Sequence, residues 1–213
     1  FSSERQLNKA VQKVRMIAWD VSHHYATTYQ GTGLKGQLVA PDKRTALLYK
    51  QFLDEFGQVS SEILMSGPTR REGEDIGSEA SKEEKAFWDS MMDRYGSEKK
   101  YNKQLINAFK HGEEPEIIIV VDKLLTGFDA PCNTVLYLAR TLKEHTLLQA
   151  IARVNRLFEG KEYGLILDYS GVIKELDEAI DFYAQLAGYD RQDLEETVAY
   201  VAEKANQLPQ LHS

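Results

Sequence analysis

Two arginines three positions apart, Arg153 and Arg156, stand in the stretch Gln149-Ala150-Ile151-Ala152-Arg153-Val154-Asn155-Arg156. The apolar spacing predicts a helix over about 144–157, which puts both guanidinium groups on one face, with Gln149 one turn before Arg153. Two such cations repel unless a polyanion lies near them. The planar fork of arginine gives a phosphate two hydrogen bonds at once. On these letters alone, a solvated basic face is the other reading. A second stretch, Asp122-Lys123-Leu124-Leu125-Thr126-Gly127-Phe128-Asp129-Ala130-Pro131, follows an apolar run. Thr126 and Gly127 offer a hydroxyl and an unobstructed backbone N–H to a phosphate oxygen. Asp129 could accept a hydrogen bond from a ribose hydroxyl, although a turn with a capping aspartate would be written the same way.

The elements that must position these groups are legible in the apolar pattern. Leu7, Ala10, Val11, Val14, Ile17, Ala18 and Val21 recur at helical spacing and predict a helix over 4–28. A short strand follows at 37–40. Pro41-Asp42 closes it and can cap a helix running to about Phe56. Further strands are expected at 62–65, 117–121, 134–138 and 164–168. The purely β-branched run Ile117-Ile118-Ile119-Val120-Val121 suits a strand buried on both faces, as in a parallel sheet. Residues 66–81 read as a long loop, 82–95 and 98–110 as helices broken at Gly96, and 171–207 as helical. Strands alternating with helices imply an open parallel α/β sheet with helices on both faces. In such sheets ligands bind beyond the C-terminal ends of the strands, so chemistry is expected there. The expected division is a linker helix over 1–31, the α/β lobe over 32–170 and a helical extension over 171–213.

Composition narrows the classes. The chain has 213 residues, 42% of them apolar and 28% charged, as in an ordinary globular domain. Lys and Arg number 26 against 33 Asp and Glu, a net charge of −7, which argues against electrostatic nucleic-acid binding over the whole surface. A single cysteine, Cys132, excludes an internal disulfide and a cysteine-rich zinc module. No apolar run approaches the ~18 residues of a membrane span. The absence of an initiator Met suggests a piece of a longer chain.

Taken in order, the two stretches resemble motifs V and VI of superfamily 2 helicases and translocases. Gln37-Leu38-Val39-Ala40-Pro41 with Lys43 and Arg44 resembles motif IV, and Asn107-Ala108-Phe109-Lys110-His111-Gly112 resembles the segment before motif V. The wording Leu125-Thr126-Gly127-Phe128-Asp129-Ala130-Pro131 with Gln149 to Arg156 is narrower. It resembles the motor subunit (R subunit, HsdR) of type I restriction enzymes over residues 34–187, departing at Ala152, where many relatives carry Gly.

That resemblance implies a P-loop NTPase-type, RecA-like second lobe of an ATP-dependent DNA translocase, part of a type I site-specific deoxyribonuclease. Arg153 and Arg156 would act as arginine fingers on the γ-phosphate of ATP held with Mg²⁺ by a preceding lobe. Gln149, Gly127 and Asp129 would meet the nucleotide. Thr126, Lys123, Lys43, Arg44, Ser66, Arg70 and Arg71 would face the DNA backbone. The implied partners are double-stranded DNA, an upstream lobe and nuclease domain of the same chain, and modification and specificity subunits. The implied setting is the cytoplasm of a bacterium or archaeon. The alternatives are the second lobe of another superfamily 2 DNA or RNA helicase, or a non-catalytic α/β binding module.

Several patterns point away from other chemistry. No Gly-x-x-x-x-Gly-Lys-Ser/Thr occurs, so half of a two-lobed nucleotide site is expected elsewhere. Gly31-Thr32-Gly33-Leu34-Lys35-Gly36 has dinucleotide-loop spacing but precedes a strand, so that reading is rejected. Pro41-Asp42 and Glu83-Glu84-Lys85 mimic a nuclease signature in letters, but the second falls in a helix after a long loop. His23 and His24 are adjacent on a helix and diverge by ~100°, a poor metal site. Trp19 and Trp88 are expected in the core, Cys132 as a packing residue, and Lys99, Lys100 and Lys103 as a solvated face that in a translocase could touch phosphates.

Overall fold

In the computed structural model, residues 2–67, 79–121, 129–170 and 198–200 are described. Helix α1 (Ser2–Thr28) leads into strand β1 (Lys35–Val39) through Gly31 and Gly33, both at positive φ. Helix α2 (Lys43–Phe56) starts where Asp42 accepts the Thr45 N–H and stops at Gly57 in the left-handed conformation. Strand β2 (Ser61–Leu64), helices α3 (Glu79–Tyr95) and α4 (Glu98–His111), and strand β3 (Ile117–Val120) follow. Strand β4 (Asn133–Leu138), helix α5 (Glu144–Val154), strand β5 (Leu165–Asp168) and strand β6 (Val198–Tyr200) complete the described elements.

The strands form one parallel sheet in the order β2-β3-β1-β4-β5-β6, with Leu38 level with both Ile119 and Tyr137. Alternation along β3 divides the core in two, because successive side chains of a strand leave opposite faces. Ile117 and Ile119 join Tyr25, Val21, Tyr49 and Leu53 of α1 and α2. Ile118 and Val120 join Tyr101, Leu105 and Phe109 of α4 and Leu147 and Ile151 of α5. The β-branched run is thus buried on both faces, and helix α1 shares the core of the lobe.

Three readings are corrected. Helix α3 begins at Glu79, inside the stretch read as loop; residues 68–78 of that stretch lie outside the described residues. Strand β6 stands within the stretch read as helical, pairing Ile166 with Val198. The open edge of β5 leaves backbone donors and acceptors that a strand satisfies and a helix does not, and Val and Tyr favour strands. Residues 171–197 and 201–213 lie outside the described residues. Trp19 is 46% exposed, set edge-on against Phe56, because α1 turns Val14, Ile17, Ala18 and Val21 to the core and carries Trp19 on its flank.

Candidate nucleotide-facing site

The chain brings two distant segments together at one edge of the sheet. Val121 leaves the C-terminal end of β3, and Asp129 arrives four residues before β4, at the opposite, N-terminal end. Helix α5 runs back between β4 and β5 and ends at that same edge. There Arg156 Nη1 donates to Asp129 Oδ2 over 2.6 Å. Both side chains are about half exposed, so the contact is open to solvent and to a ligand. A second link runs beside it: Lys161 Nζ donates to the carbonyls of Pro131 (3.1 Å) and Asn133 (2.8 Å). Burial lowers the Lys161 ammonium to about 8.

Helix α5 stops at Val154, short of the expected 157, so Arg156 lies beyond the helix and does not share its face with Arg153. Asn155 ends the helix, and its N–H returns to Ile151 O. Its side chain explains the stop: Asn155 Oδ1 accepts the Gly164 N–H at 3.1 Å, just before β5. Arg153 is half-buried in the last turn, and Gln149 is exposed one turn earlier. Sequence reasoning passed over Asn155, Gly164 and Lys161. An Asn at a helix end and a Gly ahead of a strand were the available signals.

The remaining predicted residues divide between the other edge and the undescribed segments. Lys43, Arg44 and Ser66 lie at the C-terminal ends of β1 and β2, where Lys43 Nζ donates to Gly67 O at 2.7 Å. A six-residue strand spans ~20 Å, so these groups and the Asp129–Arg156 contact occupy opposite rims. Asp129, expected beyond the C-terminal end of β3, stands instead at the N-terminal rim, four residues before β4; residues 122–128 lie outside the described residues. Thr126, Gly127, Lys123, Arg70 and Arg71 lie outside the described residues.

Cys132 is buried among Phe109 and its neighbours, and burial pushes its thiol up. Lys35 is buried and spends its ammonium on the carbonyls of Glu113 and Pro115. The adjacent histidines diverge: His23 stacks on Trp19, while His24 Nδ1 meets Tyr137 Oη at 2.8 Å. Among the described residues no His, Cys, Asp or Glu cluster suits a metal ion, and no helix is long and apolar enough to cross a membrane.

A parallel sheet in this order, covered by helices on both faces, defines a RecA-like α/β lobe. A solved structure of a Dbp5 variant of S. cerevisiae bound to a Gle1 variant and IP6 shares this fold. It has a TM-score of 0.50 and 16% identity, covering 82% of this chain and 37% of that chain. Residues 37–171 match the family described as type I restriction enzyme subunit R domain 3. The type I restriction enzyme HindI endonuclease subunit of Haemophilus influenzae is 32% identical over 185 residues, 81% of this chain and 16% of that protein. A Methanocaldococcus jannaschii protein bearing the name type I restriction enzyme MjaIXP endonuclease subunit is 31% identical over 193 residues, 88% of this chain and 16% of that protein. The chain belongs to the R-subunit domain 3 family of type I restriction enzymes. It spans 16% of the length of both relatives.

Proposed function

We propose that the chain is the second lobe of an ATP-dependent DNA translocase, the motor of a type I restriction endonuclease, and that it works on ATP held with Mg²⁺ by a first lobe of the same protein. One observation carries this reading: the contact of Arg156 with Asp129, which joins the two phosphate- and ribose-suited segments at a solvent-open rim. Arg153 and Arg156 stabilise charge on the transferring phosphoryl group, as preorganised cations do in a site that excludes water. Gln149 orients that end of the site. Asp129 accepts from the ribose, and Gly127 approaches the phosphates.

Lys43, Arg44 and Ser66, on the opposite rim, hold the DNA backbone without reading its sequence, and Thr126, Lys123 and Arg70, outside the described residues, are assigned to the same grip from their motifs alone. The opposite placement of Lys43 and Arg156 favours this division, because nucleotide closure and strand grip then act on different edges of one rigid sheet. The partners are double-stranded DNA, the first lobe and nuclease domain, and the modification and specificity subunits.

The test is Arg153→Ala and Arg156→Ala in the full-length protein. The expected result is a loss of DNA-stimulated ATP hydrolysis on the order of 10³-fold, with ATP binding kept. Wild-type turnover in both variants would refute the assignment. The isolated chain with ATP, Mg²⁺ and DNA is expected to show no turnover.

A further inference from the structure

Arg156 sits outside the hydrogen-bond ladder of α5. Its backbone N–H reaches Arg153 O only at 3.4 Å, and it is the first residue of a loop whose next member, Leu157, is 92% exposed. Helix geometry therefore does not fix where its guanidinium points. What closes the loop is a contact between its two ends. Asn155 Oδ1 accepts the Gly164 N–H at 3.1 Å, and the Gly164 backbone is close to the last turn of α5. A Cβ at Gly164 would fall 2.2 Å from Val154 O, 2.5 Å from Val154 C and 3.0 Å from Asn155 N, all backbone atoms that no rotamer change can move. Only glycine lets β5 start this close to the helix end.

We propose that Asn155 and Gly164 form a positioning clamp that aims Arg153 and Arg156 at the transferring phosphoryl group. The clamp rests on the arginine-finger reading given above. Both act through the arginines, as positioning residues. Asn155 ties the end of α5 to the start of β5, and β5 is locked into the sheet by pairing with β4 from Val135–Leu165 to Leu138–Asp168. The arginines thereby inherit the rigidity of the sheet. A misplacement of about 1 Å at a reacting group can cost roughly a hundredfold in rate, so a contact of this kind acts on chemistry and leaves nucleotide affinity alone.

The experiment uses the full-length protein with DNA and compares two probes, ADP alone and ADP with aluminium fluoride, which mimics the phosphoryl group in transfer. Asn155→Ala removes the acceptor, and Gly164→Ala forces the strand off the helix end. Each is expected to weaken binding of the aluminium fluoride complex roughly tenfold or more while leaving ADP affinity within about twofold. Because both break one contact, the double variant should be no weaker than the weaker single variant. Misfolding would lower binding stoichiometry and not the affinity of the folded remainder, so the ratio of the two affinities stays readable; Asn155→Ser provides a milder second lesion. Equal losses for both probes, or a wild-type affinity for the mimic in Asn155→Ala and Gly164→Ala, would overturn the clamp. Arg153→Ala and Arg156→Ala run in parallel. If they too keep wild-type affinity for the mimic, the arginine-finger reading itself fails; if they lose it while the clamp variants keep it, only the clamp fails.

Discussion

Arg156 and Asp129, 27 positions apart in the chain, meet through a 2.6 Å hydrogen-bonded ion pair at the N-terminal rim of the sheet. Both partners are about half exposed, and water screens such pairs to ~0–1 kcal/mol. The pair therefore does little to hold the fold, and under the proposed function Arg156 would exchange it for a polyanion and Asp129 for a hydroxyl donor. Asp129→Ala is expected to leave the unfolding midpoint within a few degrees of wild type. If Asp129 accepts from the ribose, the variant should discriminate less between ATP and 3′-deoxy-ATP in steady-state turnover of the full-length protein. Unchanged discrimination would place Asp129 away from the ribose.

The opposite rim makes a different prediction. Lys43 holds Gly67 O at 2.7 Å, and Arg44 beside it is exposed. A cation that meets a phosphate releases a counterion. Lys43→Ala and Arg44→Ala should each weaken DNA binding evenly across sequences and lower the salt slope by about one. Titrations at several salt concentrations check this; a sequence-dependent loss would contradict a backbone-only grip.

What was legible in the sequence follows from what local pattern encodes. The burial of Ile117 to Val121 on both faces, the Asp42 cap and the α/β alternation are written in residue type and period, and all stand in the structure. The family was legible too, because Thr126 to Pro131 and Gln149 to Arg156 are contiguous words. The rim was not. That Asp129 lies at the N-terminal end of β4 depends on how far a loop travels, which no local period encodes. The end of α5 is not written locally, because Arg156 continues the helical spacing, while the Asn155–Gly164 hydrogen bond that ends the helix joins residues separated by a loop. Val198–Tyr200 falls in a stretch whose local pattern is helical, because a three-residue edge strand is defined by its neighbour β5.

The centre of the sheet is tight enough to test by a single methyl group. A Cβ on Gly36 in β1 would stand 3.2 Å from Val135 Cγ1 and 3.3 Å from both Tyr137 Cε2 and Tyr25 Cδ2. Those neighbours come from β4 and α1 and are fully or almost fully buried, so none can swing into solvent. Gly36→Ala should destabilise the lobe by about 1–3 kcal/mol, the usual cost of overpacking. Denaturant unfolding of the full-length protein, followed through probes in this lobe, measures it; an unchanged midpoint would show that α1 yields.

Lys161 gives a pH signature at the candidate site. Burial lowers its ammonium from 10.5 to about 8, even though two carbonyls accept its hydrogen bonds. The folded state thus releases this proton first as pH rises. Below about 8 both states are protonated and the desolvated charge costs its full penalty. Between about 8 and 10.5 the unfolded chain holds more protons, so this group makes the fold more stable as pH increases. Lys35, also lowered by burial, contributes in the same direction. The buried Tyr25, Tyr49 and Tyr101 hydroxyls, raised by burial, act oppositely above about 10, where the unfolded chain ionises and the folded one does not. Trace acetylation followed by mass spectrometry should give Lys161 a reactivity midpoint near 8, against about 10.4 for an ordinary solvated lysine. Once neutral, Lys161 keeps N–H donors for Pro131 and Asn133 but loses charge assistance. The brace beside Asp129 should therefore loosen in the same window. Turnover that falls above about pH 8 in wild type, and does not fall in Lys161→Arg, is the expected result. A midpoint near that of exposed lysines would show that water reaches the ammonium and that the brace carries no pH dependence.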